Sequence, residues 1–135
     1  MKHKLPEELA KWYDEEYCLD AVKNNGYELK YIKIQTPEIC LEAVKNYAWA
    51  LKYIKIQTPE ICLAAVKQVG NSLQYVKDQT PEICLAALED YPNAIKSIDL
   101  DVLTEEEFEY IKLRYLSWNI NSQKNWLNGT MKLIV

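Results

Sequence analysis

The sequence predicts an all-α protein: a short α-solenoid of about four 22-residue helix–turn–short-helix repeats, with capping helices at both ends. Three observations predict it. Cysteines fall at positions 18, 40, 62 and 84, each 22 residues from the next. Leu29–Leu41 and Leu51–Leu63 read the same thirteen residues, LKYIKIQTPEICL, and Leu73–Leu85 differs from them at three. The triplet Thr-Pro-Glu recurs in register at 36–38, 58–60 and 80–82. Self-similarity at such a period marks units that cannot bury an apolar face alone and must stack to do so.

Each element follows from local chemistry. Residues 1–13 form an N-terminal cap, in which Leu5-Pro-Glu-Glu-Leu-Ala-Lys-Trp-Tyr13 reads as a capping helix. Residues 14–103 are the repeat array. In each unit threonine caps the free N–H groups of a helix, proline suits its first position, and glutamate complements its positive end. Asp14-Glu-Glu-Tyr-Cys18 takes that place in the first unit. The helix then runs through Ile39, Cys40, Leu41, Ala43 and Val44, and Cys40, Ala43 and Val44 share one face at i, i+3 and i+4. It stops near Asn25-Gly26, Val69-Gly70 and Pro92 in the units concerned. Leu51 and Ile54, three apart, predict a second, short α- or 3₁₀-helix before the next Gln-Thr-Pro. So short a helix is marginal alone and must be held by stacking. Residues 104–135 are a C-terminal capping helix and tail. Thr104-Glu-Glu-Glu-Phe108 restates the helix start two residues late, and Phe108, Ile111, Tyr115 and Trp118 form a helical stripe. Beyond it, Asn128-Gly129 signals a turn before the apolar Met131–Val135.

Composition narrows the function. With 49% apolar and 27% charged residues, a packed core is expected rather than disorder. A net charge of −4 argues against a general nucleic-acid-binding surface. The single histidine, His3, leaves the interior without an imidazole base or metal ligand, so neither an enzyme nor a metal or cofactor site is expected. No apolar run is long enough to span a membrane, and the first residues lack a signal-peptide core. An intracellular, cytoplasmic protein is expected, including one made by a virus or injected by a pathogen and acting in host cytoplasm. Charge is segmented: residues 23–80 carry eight Lys and five acids, residues 81–110 one Lys and nine acids. Acidic helix starts explain part of this, and head-to-tail association of unlike surfaces is the alternative.

Several ladders run through the repeats. Equivalent cysteines in a stack sit roughly 8–10 Å apart, too far for disulfides or a shared zinc ion. They are expected to be small buried hydrophobes. Tyr31, Tyr53 and Tyr75 are expected to pack between units, with a binding surface as the alternative. Lys23, Lys45 and Lys67 form one cationic row and Lys33, Lys55 and Lys77 another; Glu89 and Asp99 break them in the fourth unit. Such rows are solvated stripes or a contact for an acidic partner. The chain has a single arginine, Arg114, which weakens a phosphate-binding reading. The turns vary between units and are free to serve recognition. Candidate partner-binding residues are therefore Tyr27, Tyr47, Trp49, Lys33, Lys55 and Lys77. Tyr110, Tyr115, Trp118 and Trp126 are expected to cap the exposed core of the last unit; the alternative makes Tyr115, Trp118 and Trp126, with Met131–Val135, candidate self-association residues of a homodimer. Asn128-Gly-Thr130 matches a glycosylation sequon and is read as coincidence.

The unit LxYVKxQTPEICLxAVKxxG resembles a domain of unknown function with short helical repeats, common in giant DNA viruses and in effector proteins of intracellular Legionella-like bacteria. The resemblance covers about residues 14–100 and leaves the ends uncovered. It implies an intracellular, host-directed setting and an interaction role, and it supplies no catalytic residues. The expected function is a non-enzymatic protein–protein interaction module. The alternatives are an RNA- or polyanion-binding adaptor and a self-assembling structural protein.

Overall fold

The computed structural model describes residues 6–119, with side chains described through residue 115. It is an all-α solenoid. A short cap of α1 (Glu7–Ala10) and η1 (Lys11–Tyr13), the latter a 3₁₀ turn, precedes four repeats. Each repeat pairs an α-helix with a 3₁₀-helix: α2 (Glu15–Asn24) with η2 (Gly26–Tyr31), α3 (Pro37–Asn46) with η3 (Ala48–Tyr53), α4 (Pro59–Gln68) with η4 (Gly70–Tyr75), and α5 (Pro81–Asp90) with η5 (Pro92–Ser97). A longer helix, α6 (Glu105–Asn119), packs on α5. The α-helices stack in chain order as one layer and the 3₁₀-helices as a second.

The helix starts are built as their residues dictate. Thr36, Thr58 and Thr80 accept the N–H of Ile39, Ile61 and Ile83 at 3.2–3.3 Å, and proline opens each helix. Asp14 does the same for Tyr17 at 2.8 Å. Thr104 and Glu107 exchange bonds of 2.9 and 3.1 Å in a reciprocal capping box that sets the start of α6.

Between the layers lies the core. Cys40, Ala43 and Val44, with their register equivalents, are buried, and Leu29, Leu51 and Leu73 meet them from the 3₁₀ layer. All four cysteines are free and buried, as small hydrophobes in contact with this core. Leu41 is not part of that face: with Leu19, Leu63 and Leu85 it lies half-buried toward the outside of the α layer.

Two polar clamps repeat between units. Gln35, Gln57 and Gln79 each donate from Nε2 to a carbonyl of the next unit, on Tyr53, Tyr75 and Ser97, at 2.8 Å. Their Oε1 atoms accept the N–H of Lys55, Lys77 and Asp99 at 2.7–3.0 Å. The thiols of Cys40, Cys62 and Cys84 point at the same Oε1 atoms, at 3.5–3.9 Å. The first unit has no such glutamine, and Cys18 donates to the Trp12 carbonyl at 3.3 Å instead. Asp101 occupies the next glutamine place in register, so the clamp ends with the array.

The second clamp joins helix ends. Asn46 Oδ1 accepts the Gly26 N–H at 2.6 Å, and Asp90 Oδ2 accepts that of Gly70 at 2.7 Å. The glycines serve close approach rather than a left-handed stop, since no described residue has positive φ. A Cβ on Gly26 would lie 2.3 Å from the Ala43 carbonyl oxygen, and one on Gly70 2.3 Å from that of Ala87. The helices end on extended cap residues, Asn25, Tyr47, Val69 and Tyr91.

Candidate functional site

Two outer surfaces differ from unit to unit, and the predicted partner-binding residues fall on the 3₁₀ one. There Tyr27 and Trp49 lean edge-on against Tyr53 and Tyr75 of the following unit, with ring centroids 5.9 Å apart, and Trp12 meets Tyr31 at 5.4 Å. Tyr27 also meets Tyr47 at 6.1 Å. The tyrosine row is thus inter-unit packing, completed by the turn aromatics. Lys30 lies over the rings of Tyr27 and Tyr31, at 4.3 and 4.7 Å, and Lys52 lies 5.0 Å over Tyr53. Lys30 also donates to the Tyr27 hydroxyl at 2.8 Å, a bond that holds this phenol below its usual pKa and the ammonium above its own. Tyr27, Tyr47 and Trp49 come together in this ridge. Lys33, Lys55 and Lys77 do not join it: they follow the 3₁₀-helices, and Lys55 and Lys77 reach back to the Lys33 and Lys55 carbonyls at 3.5 and 3.4 Å. That row is partly spent on holding units together.

The cysteine row is chemically quiet. Burial pushes the thiols of Cys40 and Cys62 up to about 11 and that of Cys84 to about 12, so the thiolate is scarce at neutral pH. Among the described residues no cluster of metal-ligating side chains forms, and no helix is long and apolar enough to cross a membrane.

Of the predicted self-association residues, Tyr115 is 1% exposed and belongs to the core beneath α6, with Ile111. It offers no surface to a second copy. The Trp118 side chain, Trp126, Met131–Val135, the Asn128 sequon and His3 lie outside the described residues.

The outer face of the α layer holds a feature that sequence reasoning missed. A groove of about 860 Å³ runs over α5, walled by α4 on one side and by Tyr110 and Arg114 of α6 on the other. Leu85 and Ala86 form its floor, Leu63 and Pro59 its α4 side, and Glu82 and Glu89 its ends. A smaller hollow of about 600 Å³ lies over α2, in the same register, lined by Glu16, Leu19, Asp20 and Lys23. Among their differences are Ala86 for Asp20 and Glu89 for Lys23. The row that reads Asp20 and Glu42 in the first two units reads Ala64 and Ala86 in the next two. In α3 the long side chain at this position is held across the face by an ion pair, Glu42 to Lys45 at 3.3 Å. In α5 the short Ala86, 8% exposed, lies with Leu85 at the floor of the groove. The available signals were the change from acid to alanine along one row and the break of the lysine row at Glu89.

The family described as a domain of unknown function (DUF4116) matches residues 14–57 and again residues 36–80. Each window spans two repeats and the second starts one repeat later, so the family pattern recurs within residues 14–80. The helix that floors the groove lies beyond that segment. No curated protein and no solved structure matches the chain.

Proposed function

We propose that this chain is a non-enzymatic interaction module whose repeats form a clamped scaffold and whose α5 groove receives a polypeptide partner. One observation carries the proposal. The interior and the clamps repeat almost unchanged, whereas the row that is acidic in α2 and α3 is alanine in α4 and α5, beside an 860 Å³ groove with an apolar floor and α6 as its far wall. That volume and lining are those of sites that take side chains of a ligand. The setting we propose is inside a cell, where four unpaired thiols suit a reducing compartment.

The polyanion reading has less support. Lysines already cover the faces of Tyr27, Tyr31 and Tyr53, so these rings are poorly placed to stack on bases.

Affinity capture with quantitative mass spectrometry tests the proposal, comparing the wild type with Ala86→Glu, which places on α5 the residue that α3 carries at that position. Partners lost with the variant support the groove. An identical partner set, from a variant with an unchanged circular dichroism spectrum, overturns it.

A further inference from the structure

The groove carries a charge that the fold does not call for. Lys23, Lys45 and Lys67 close α2, α3 and α4, where the negative end of the helix dipole favours a cation. The same place in α5 is Glu89, and α5 has no basic residue in its last turn. Among the described residues Glu89 pairs with no cation. The other charges of the groove are explained locally. Glu82 sits in the first turn of α5 and Lys67 in the last turn of α4, each where the dipole favours it. The Arg114 guanidinium lies 5.8 Å over the Tyr110 ring. Glu89 alone works against its helix, and it stands at the end of the apolar floor made by Leu85 and Ala86. The register-equivalent hollow over α2 has Asp20 and Lys23 at these two positions, so the pair alanine–glutamate distinguishes the groove from its own repeat. A local rule broken at one exposed position at the end of an apolar floor, with no ion pair to compensate, is the pattern of a functional residue.

We propose that the occupant of the groove is a segment of another protein in which a large apolar side chain lies beside a lysine or arginine: the apolar group on Leu85 and Ala86, the cation on Glu89. This rests on the reading of the groove as the binding site. Charge complementarity of this kind fixes register and excludes acidic segments by like-charge repulsion.

The test is selection of a phage-displayed library of random short peptides on the intact chain, followed by binding of the enriched peptides to four proteins: wild type, Ala86→Glu, Glu89→Lys and Lys96→Ala. Glu89→Lys restores the residue of the other units, so its folding is not at risk, and Lys96 lies on η5 in the other layer. The expected result is enrichment of Lys or Arg next to Leu, Ile, Phe or Trp. Binding should weaken about five- to tenfold in Glu89→Lys, weaken in Ala86→Glu, and hold in Lys96→Ala. Peptides that sense Ala86→Glu but show no basic enrichment, or bind Glu89→Lys equally well, overturn the partner chemistry and leave the groove standing. A selection in which no peptide senses Ala86→Glu overturns the groove itself, and this inference with it.

Discussion

Replacing Gln79 by glutamate changes one atom of the last clamp and tests whether the amide holds the units together. Gln79 is 6% exposed; its Nε2 donates to the Ser97 carbonyl at 2.8 Å and its Oε1 accepts the Asp99 N–H at 2.7 Å. In Gln79→Glu the acceptor survives, but an oxygen replaces the donor and faces the carbonyls of Ser97 and Leu73. Burial and those carbonyls both disfavour the charged form, so the introduced carboxyl has a raised folded pKa. A rise of about two units costs about 2.7 kcal/mol once the group is ionised. The sign follows from linkage: with a raised folded pKa, the cost is absent below the ordinary glutamate pKa near 4.3 and grows as pH rises through the folded value. At low pH the protonated carboxyl regains a donor toward Ser97. Gln79→Leu, which removes both bonds, is expected to cost about 2–4 kcal/mol at every pH. Urea unfolding followed by far-ultraviolet circular dichroism, at pH 4 and pH 7 with wild type as reference, measures both. Units coupled only to their neighbours should also unfold less sharply when one coupling is cut. A Gln79→Glu cost that is equal at the two pH values, or below about 0.5 kcal/mol at pH 7, refutes the clamp.

Two further predictions concern the interior. Burial raises the thiol pKa of Cys40, Cys62 and Cys84 from 9.0 to about 11, 11 and 12. The unfolded chain therefore loses these protons first, and stability should hold below about pH 9 and fall between there and pH 12, by less in Cys62→Ala; an equal alkaline slope in that variant counts against the buried thiol. Gly70→Ala puts a Cβ 2.3 Å from the Ala87 carbonyl oxygen and should cost about 1–3 kcal/mol in chemical denaturation; a neutral result would mean that the α4–α5 helix ends are less tightly apposed.

The repeat was legible because stacking imposes the same residue at the same place. Cysteine, alanine and valine 22 residues apart mark one buried face, and Thr-Pro-Glu marks a helix start wherever it occurs. The shortness of the second helix was legible too, from how little chain lies before the next Gln-Thr-Pro, but not whether it is α or 3₁₀. The clamps were not legible. Gln35 bonds to backbone atoms 18 and 20 residues on, and a backbone partner leaves no trace in residue identity. Gly26 and Gly70 look like helix stops but are there because another helix end comes within contact distance. Tyr115 was legible as a cap on the last unit, and its burial beneath α6 leaves no room for the alternative of self-association through it.

The groove lies between these cases. Its walls depend on where α6 docks, which no local pattern fixes, yet its floor and its charge are both sequence events: Ala86 where Asp20 and Glu42 stand, and Glu89 where three lysines stand. In a repeat array the unchanged positions report what each unit owes its neighbours, and they say nothing of partners. A difference confined to an outward position is under no such constraint. When it also runs against the helix dipole, packing and propensity together would have chosen the other residue. Glu89 meets both conditions and Asp90 does not, because Asp90 is bound to the Gly70 N–H. Of the two adjacent acids that end α5, one is bonded into the scaffold and the other is the one we assign to a partner.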